Sequence, residues 1–66
     1  MKINPLPEDQ TLLGKRIKIN IPHPWSGNYG EIIRWEEMPF GNCPVVRLEN
    51  GYECFVIDRD EMEFLP

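Results

Sequence analysis

The residues of this 66-residue chain that could carry chemistry are one histidine, two cysteines, eleven carboxylates and seven aromatics. His23 stands between Pro22 and Pro24, in a segment whose prolines remove backbone donors. A general base needs a nucleophile or an orienting carboxylate beside it, and the sequence presents no Ser-His-Asp or Cys-His signature. Cys43 and Cys54 lie eleven residues apart with no second pair, too few ligands for tetrahedral zinc. Cys54 reads as a small core residue and Cys43 as a loop residue. Gly27 and Gly30 match a β-turn better than a phosphate cradle. Glu36-Glu37 and the set Asp58, Asp60, Glu61 and Glu63 read as a solvated acidic face. These residues point away from an enzyme, and no metal or cofactor is expected.

The aromatics are more informative. Trp25, Tyr29, Trp35 and Phe40 fall in or beside two loop-like segments, and Tyr52 sits at a turn. Tyr and Trp are common anchors of protein interfaces, so these five are the candidate partner-binding residues. Large rings also cap an undersized core. Trp35 and Phe40 read as caps, whereas flanking prolines and Gly27 favour exposure of Trp25 and Tyr29. The alternative surface is a basic edge of Lys15, Arg16, Lys18, Arg34 and Arg47, which requires that all five share one face.

Charge weighs against that edge. The chain carries seven basic and eleven acidic side chains, a net charge of −4. Residues 1–33 have a net charge of +1 and residues 34–66 a net charge of −5. Nucleic-acid binding without sequence preference draws on a dense set of cations, so a nucleic-acid partner is not expected. At 41% hydrophobic and 27% charged residues the composition is that of a globular domain. No apolar run is long enough for a membrane span or a leader peptide. Two cysteines without a leader suggest a reducing, cytoplasmic setting.

Positioning these side chains falls to short strands. Residues 1–11 read as an irregular N-terminal arm that packs Ile3 and Leu6 onto the body, and residues 12–66 as one domain. Ile17, Ile19 and Ile21 alternate with Arg16, Lys18 and Asn20, the period-two pattern of a half-buried strand. Pro22 to Tyr29 is loop chemistry. A second strand spans Gly30 to Trp35, and Glu36 to Cys43 is a loop broken by Pro39 and Gly41-Asn42. A third strand spans Pro44 to Leu48. Asn50-Gly51 marks a hairpin into a fourth strand, Glu53 to Ile57. Asp58-Arg59-Asp60 forms a tight turn, 3₁₀ in character, before a last strand from Glu61 to Leu65. The expected core is Ile17, Ile19, Ile32, Val46, Leu48, Cys54, Val56 and Met62, with Leu13 and Leu65 as plugs. The fold expected is all-β, a small, partly open five-stranded antiparallel barrel.

Gly14-Lys15-Arg16-Ile17-Lys18-Ile19 followed by Ser26-Gly27-Asn28-Tyr29-Gly30-Glu31-Ile32-Ile33 resembles the opening of KOW-type SH3-like barrels. Val45-Val46-Arg47-Leu48-Glu49-Asn50-Gly51 resembles their hairpin, and residues 55–63 are similar to their closing strand, helical turn and final strand, with Met62 in a leucine position. The resemblance covers residues 14–65 and implies an SH3-like barrel, a fold that hosts many unrelated functions. In such barrels the segments 22–29 and 36–43 would frame a groove. Aromatics there, flanked by Glu36 and Glu37, suit a proline-containing or extended peptide with a basic anchor.

The KOW resemblance also implies, as an alternative, an accessory to RNA or a ribonucleoprotein. Gly14 to Ile19 and Cys43 to Leu48 look like strands of the small SH3-like subunits of photosynthetic electron-transfer complexes. That likeness implies a structural subunit presenting basic residues to an acidic ferredoxin. The reading favoured is a non-enzymatic module that binds a protein or peptide through its aromatic loops.

Overall fold

Period-two alternation builds the first strand: β1 (Arg16–Ile19) buries Ile17 and Ile19 completely and leaves Arg16 exposed. The structure, a computed structural model, describes residues 4–39 and 41–66. Alternation predicts that Ile21 extends the strand, yet β1 ends at Ile19 and Ile21 is 79% exposed. Pro22 offers no backbone donor, and the Asn20 carbonyl accepts from the His23 N–H at 3.2 Å, so the chain turns away.

The other strands are β2 (Tyr29–Met38), β3 (Gly41–Leu48), β4 (Glu53–Phe55) and β5 (Met62–Phe64). Segment 36–43, expected as a loop, is instead the far end of a β2–β3 hairpin paired from Gly30↔Leu48 to Met38↔Gly41. Its supposed breakers fit the ladder. Gly41 adopts a φ of 126°, which glycine tolerates. The Pro44 carbonyl accepts from the Val56 N–H at 3.1 Å. The nitrogen and carbonyl of one strand residue point to the same side, so the donor that Pro44 lacks faces β4 and leaves the β2–β3 pairing intact. An irregularity between Ile32 and Arg34 sets Arg34 opposite Val45 and leaves Ile33 without a partner in the register.

The Asn50-Gly51 hairpin forms as expected, with Leu48 N–H on the Tyr52 carbonyl at 2.7 Å and Gly51 at a φ of 94°. β4 ends two residues earlier than expected, and Ile57 is exposed. A 3₁₀ turn (Arg59–Glu61) then precedes β5. The Asp58 carboxylate accepts from Asp60 N–H at 2.9 Å, and Asp58 N–H donates to the Glu61 carboxylate at 3.2 Å, a reciprocal cap. An earlier 3₁₀ turn (Gln10–Leu12) crosses the expected boundary between arm and domain.

All five strands form one antiparallel sheet in the order β4-β3-β2-β1-β5. Val56, just past edge strand β4, and Met62, on edge strand β5, join one core cluster with Ile17, Ile19, Ile32, Val46 and Leu48. Side chains from opposite edges meet only if the sheet curls strongly, and the body measures 27 × 26 × 22 Å. Among the described residues no ladder joins β4 to β5.

Three details of the core differ from expectation. Leu12, not Leu13, packs against the cluster, because the first 3₁₀ turn carries Leu12 inward and leaves Leu13 42% exposed. Cys43 is a buried strand residue, whereas Cys54 is half-buried and packs at the cluster's margin. Leu6 packs onto the body as expected, and Ile3 lies outside the described residues.

At Gly30 there is no room for a side chain between β2 and β3. A Cβ there would overlap the Arg47 carbonyl oxygen and come within 2.8 Å of Val46 Cγ1. Gly30→Ala is therefore expected to cost about 1–3 kcal/mol, read as a lower urea midpoint at an unchanged slope. An unaltered midpoint would contradict this crowding.

Candidate interaction surface

Of the five candidate aromatics, Trp25 and Tyr52 form a ring pair, with centroids 5.2 Å apart and planes tilted by 51°. Tyr52 is positioned by the hairpin, where its N–H donates to Asn50 Oδ1 at 3.0 Å, and it is 60% exposed. Trp25 is positioned by the β1–β2 loop, whose internal bonds include Ser26 N–H to the His23 carbonyl at 3.0 Å and Asn28 Nδ2 to the Trp25 carbonyl at 3.0 Å. The sequence favours exposure of Trp25, but it is half-buried and packs against the core cluster. The loop folds back onto the sheet, and flanking prolines do not prevent that.

His23 fastens this loop. Its Nδ1 lies 3.1 Å from the Trp25 backbone N–H, which can only donate, so Nδ1 accepts. In the neutral ring the proton is then on Nε2, which donates to the Phe55 carbonyl at 2.9 Å. The β1–β2 loop is thereby tied to edge strand β4. Phe55 itself is 44% exposed and was not among the candidates. Its place two residues from Glu53 on the outward side of a strand is the signal that marks it.

The other three aromatics lie apart. Tyr29, 40% exposed, points to the outer face, where Lys18 Nζ stands 5.9 Å from its ring centre. Trp35 sits toward the other end of β2 on the inner face, opposite Pro44. It is half-buried, and its indole N–H is shielded without an acceptor among the described residues. Phe40 lies outside the described residues. The groove expected between segments 22–29 and 36–43 is replaced by contact between the β1–β2 loop and the β3–β4 turn, because residues 36–38 and 41–43 are committed to a ladder.

Most of the basic edge is ion-paired. Arg16 meets Glu49 at 2.8 Å, Arg34 meets Glu36 and Glu53 at 2.9 Å each, and Arg47 meets Glu53 at 3.2 Å. Lys15 and Lys18 have no carboxylate within ion-pair distance among the described residues. Hydrogen bonds from Arg34 and then Arg47 hold the Glu53 carboxyl below the ordinary glutamate range, and those that Arg34 donates to Glu36 and Glu53 raise its guanidinium. Beneath this chain of charges Cys43 and Val45 are 1% exposed on the outer face. Their cross-strand partners are Glu36 and Arg34, whose stems can cover them.

Both cysteines are free, and register places them on opposite faces of the sheet: Cys43 beside Glu36, Cys54 beside Val46. Burial pushes both thiols up, with Glu61 adding to the effect on Cys54. Neither is poised as a nucleophile. Among the described residues no three His, Cys, Asp or Glu side chains stand together to hold a metal. No helix among them is long and apolar enough to cross a membrane. Comparison with protein-family models, curated proteins and solved structures finds no match.

Two outcomes follow. The thiols should react with a disulfide reagent more slowly in the native state than in denaturant, Cys54 before Cys43, as followed by mass spectrometry; the reverse order would contradict the burial of Cys43. Because the Glu53 carboxyl is lowered on folding, its stabilisation is present above the ordinary glutamate range and is lost as pH falls through the lowered value. The stability gap between wild type and Glu53→Gln should thus narrow on acidification, measured by urea titration across pH. A constant gap would show that Glu53 is not held by the two arginines.

Proposed function

We propose that the chain is an SH3-like barrel of KOW type that acts as a non-enzymatic, cytoplasmic protein-interaction module. The fold part of this reading is supported by the strand order β4-β3-β2-β1-β5 with a 3₁₀ turn before the last strand. Antiparallel pairing of neighbouring strands throughout, with β5 against β1, supports the barrel that residues 14–65 resemble.

The observation that carries the function is the Trp25–Tyr52 pair. One ring is anchored in the core, the other is 60% exposed, and Phe55 stands exposed on the strand to which the same loop is tied. A rigid aromatic pair of this kind offers a partner a large contact area with little side-chain entropy left to lose. Binding of RNA or an acidic protein through the basic edge is the weaker reading. Arg16, Arg34 and Arg47 already hold carboxylates, and a polyanion would have to displace them.

Tyr52→Ala tests the reading without opening the core. Partners captured from the source lysate by wild type should be lost with Tyr52→Ala, while Lys15→Ala/Lys18→Ala retains them and the melting temperature of each variant stays near wild type. A partner kept by Tyr52→Ala but lost with the lysine variant would reverse the assignment in favour of the basic edge.

A further inference from the structure

The β1–β2 loop is held by one imidazole ring used at both nitrogens. His23 Nδ1 accepts from the Trp25 backbone N–H at 3.1 Å, and Nε2 donates to the Phe55 carbonyl at 2.9 Å. The first contact joins a side chain to the backbone N–H two residues on. Other turns of the chain use the same device with an oxygen acceptor. Asp9 Oδ1 accepts from Thr11 N–H at 3.0 Å, Asn50 Oδ1 from Tyr52 N–H at 3.0 Å, and Asp58 Oδ1 from Asp60 N–H at 2.9 Å. Those oxygens offer several lone pairs. At His23 the acceptor is a single nitrogen lone pair, and one proton removes it.

The ring has no other place for that proton. Nε2 already carries one, so a second goes to Nδ1 and points at the Trp25 N–H. Two donors then face each other, whereas the bond from Nε2 to the Phe55 carbonyl becomes charge-assisted and is kept. The ring thus stays on β4 while the Trp25 backbone leaves it. Trp25 also bears on Tyr52 and on the core cluster, so both contacts lose a support.

The elements around the ring do little to offset its charge. The β3–β4 turn and β4 carry Tyr52, Glu53 and Cys54, and Glu53 is engaged by Arg34 and Arg47. The 3₁₀ turn at Arg59–Glu61 carries Glu61, whose carbonyl takes Asn20 N–H at 2.6 Å at the base of the loop. β1 carries Lys18, whose ammonium stands over the Tyr29 ring. Among the described residues no carboxylate lies within ion-pair distance of His23. As a side-chain type, imidazole is the one that ordinarily changes charge near neutrality, and this chain has a single histidine.

We propose that His23 is a proton-operated latch: with the ring neutral the β1–β2 loop is locked to β4, and with the ring protonated Trp25 is released. Every contact involved lies within the chain, so the latch stands whether or not the Trp25–Tyr52 pair binds a partner.

The test uses the full chain, with ring and amide resonances followed by NMR as the pH is lowered. At the alkaline end the ring nitrogens should report a proton on Nε2 and none on Nδ1. As the ring takes its second proton, the protection of the Trp25 amide against hydrogen exchange should fall about tenfold, after correction for the intrinsic rate. The ring signals of Trp25 and Tyr52 should shift with the same midpoint. In His23→Asn the side-chain oxygen supplies the acceptor without a titrating proton, so Trp25 protection should stay level over that range. Unchanged protection in wild type while the ring titrates, or an equal loss in His23→Asn, would overturn the proposal. So would a proton on Nδ1 at the alkaline end, which is read on wild type alone and decides the matter even where the variant does not fold.

Discussion

The long β2–β3 ladder is the constraint on which the rest of the structure depends. Its eight paired positions, from Gly30↔Leu48 to Met38↔Gly41, make β3 the strand that the other elements are measured against. β1 pairs with the start of β2, β4 pairs with the end of β3, and β5 closes on β1. The ladder is possible because three residues that ordinarily break strands occupy positions where they do no harm. Gly30 permits the close approach, Gly41 supplies a positive φ at the hairpin end, and Pro44 turns its missing donor toward β4. Moving Pro44 by one residue would place that missing donor on the β2 side and also flip its ring to the opposite face.

A small chain has little interior, and β3 enlarges it by being buried on both sides. Val46 and Leu48 face the curled inner cluster, while Cys43 and Val45 are buried on the outer face. Their cross-strand partners Glu36 and Arg34, joined by ion pairs that run on through Glu53 to Arg47, carry stems long enough to cover them. Exposed ion pairs contribute little by charge alone. Here they also fix the positions of long aliphatic stems on the face that carries Cys43 and Val45.

What could be read from residues follows the range of the forces involved. β1 was legible because alternation is a local property, and the Asn50-Gly51 hairpin because two adjacent residues carry the whole signal. The reciprocal cap at Asp58–Glu61 lies within four residues, and the tight turn there was legible for the same reason. The β2–β3 tip was not. Proline and glycine announce a break in any local reading, and only the orientation of Pro44 relative to β4, a contact across twelve residues, shows that the ladder continues. Trp25 was misjudged for a related reason: its burial depends on His23 reaching a carbonyl on β4, 32 residues away. Charge patterning correctly marked the chain as acidic, but which arginine meets which glutamate is a property of register and is invisible before the sheet is formed.

Two parts of the molecule sit outside the ladder yet complete the core, and each is attached in the same manner. The β1–β2 loop contributes Trp25 and is fastened to β4 through His23; the arm contributes Leu6 and is fastened at Asp58–Arg59 and Asn42. In both, one half-buried apolar side chain is combined with a few hydrogen bonds near solvent. Such attachments are strong enough to exclude water from the margin of a small core, and weak enough to open well below the free energy of global unfolding. They differ in what opening would expose. Releasing the loop would uncover the core beneath Trp25 and break the ring pair with Tyr52. Releasing the arm would free the Asp58 carboxylate, the Arg59 donors and the Asn42 amide, and uncover the core beside Leu6. In both, a core too small to close by its own sheet is completed by a side chain that reaches it from outside the ladder.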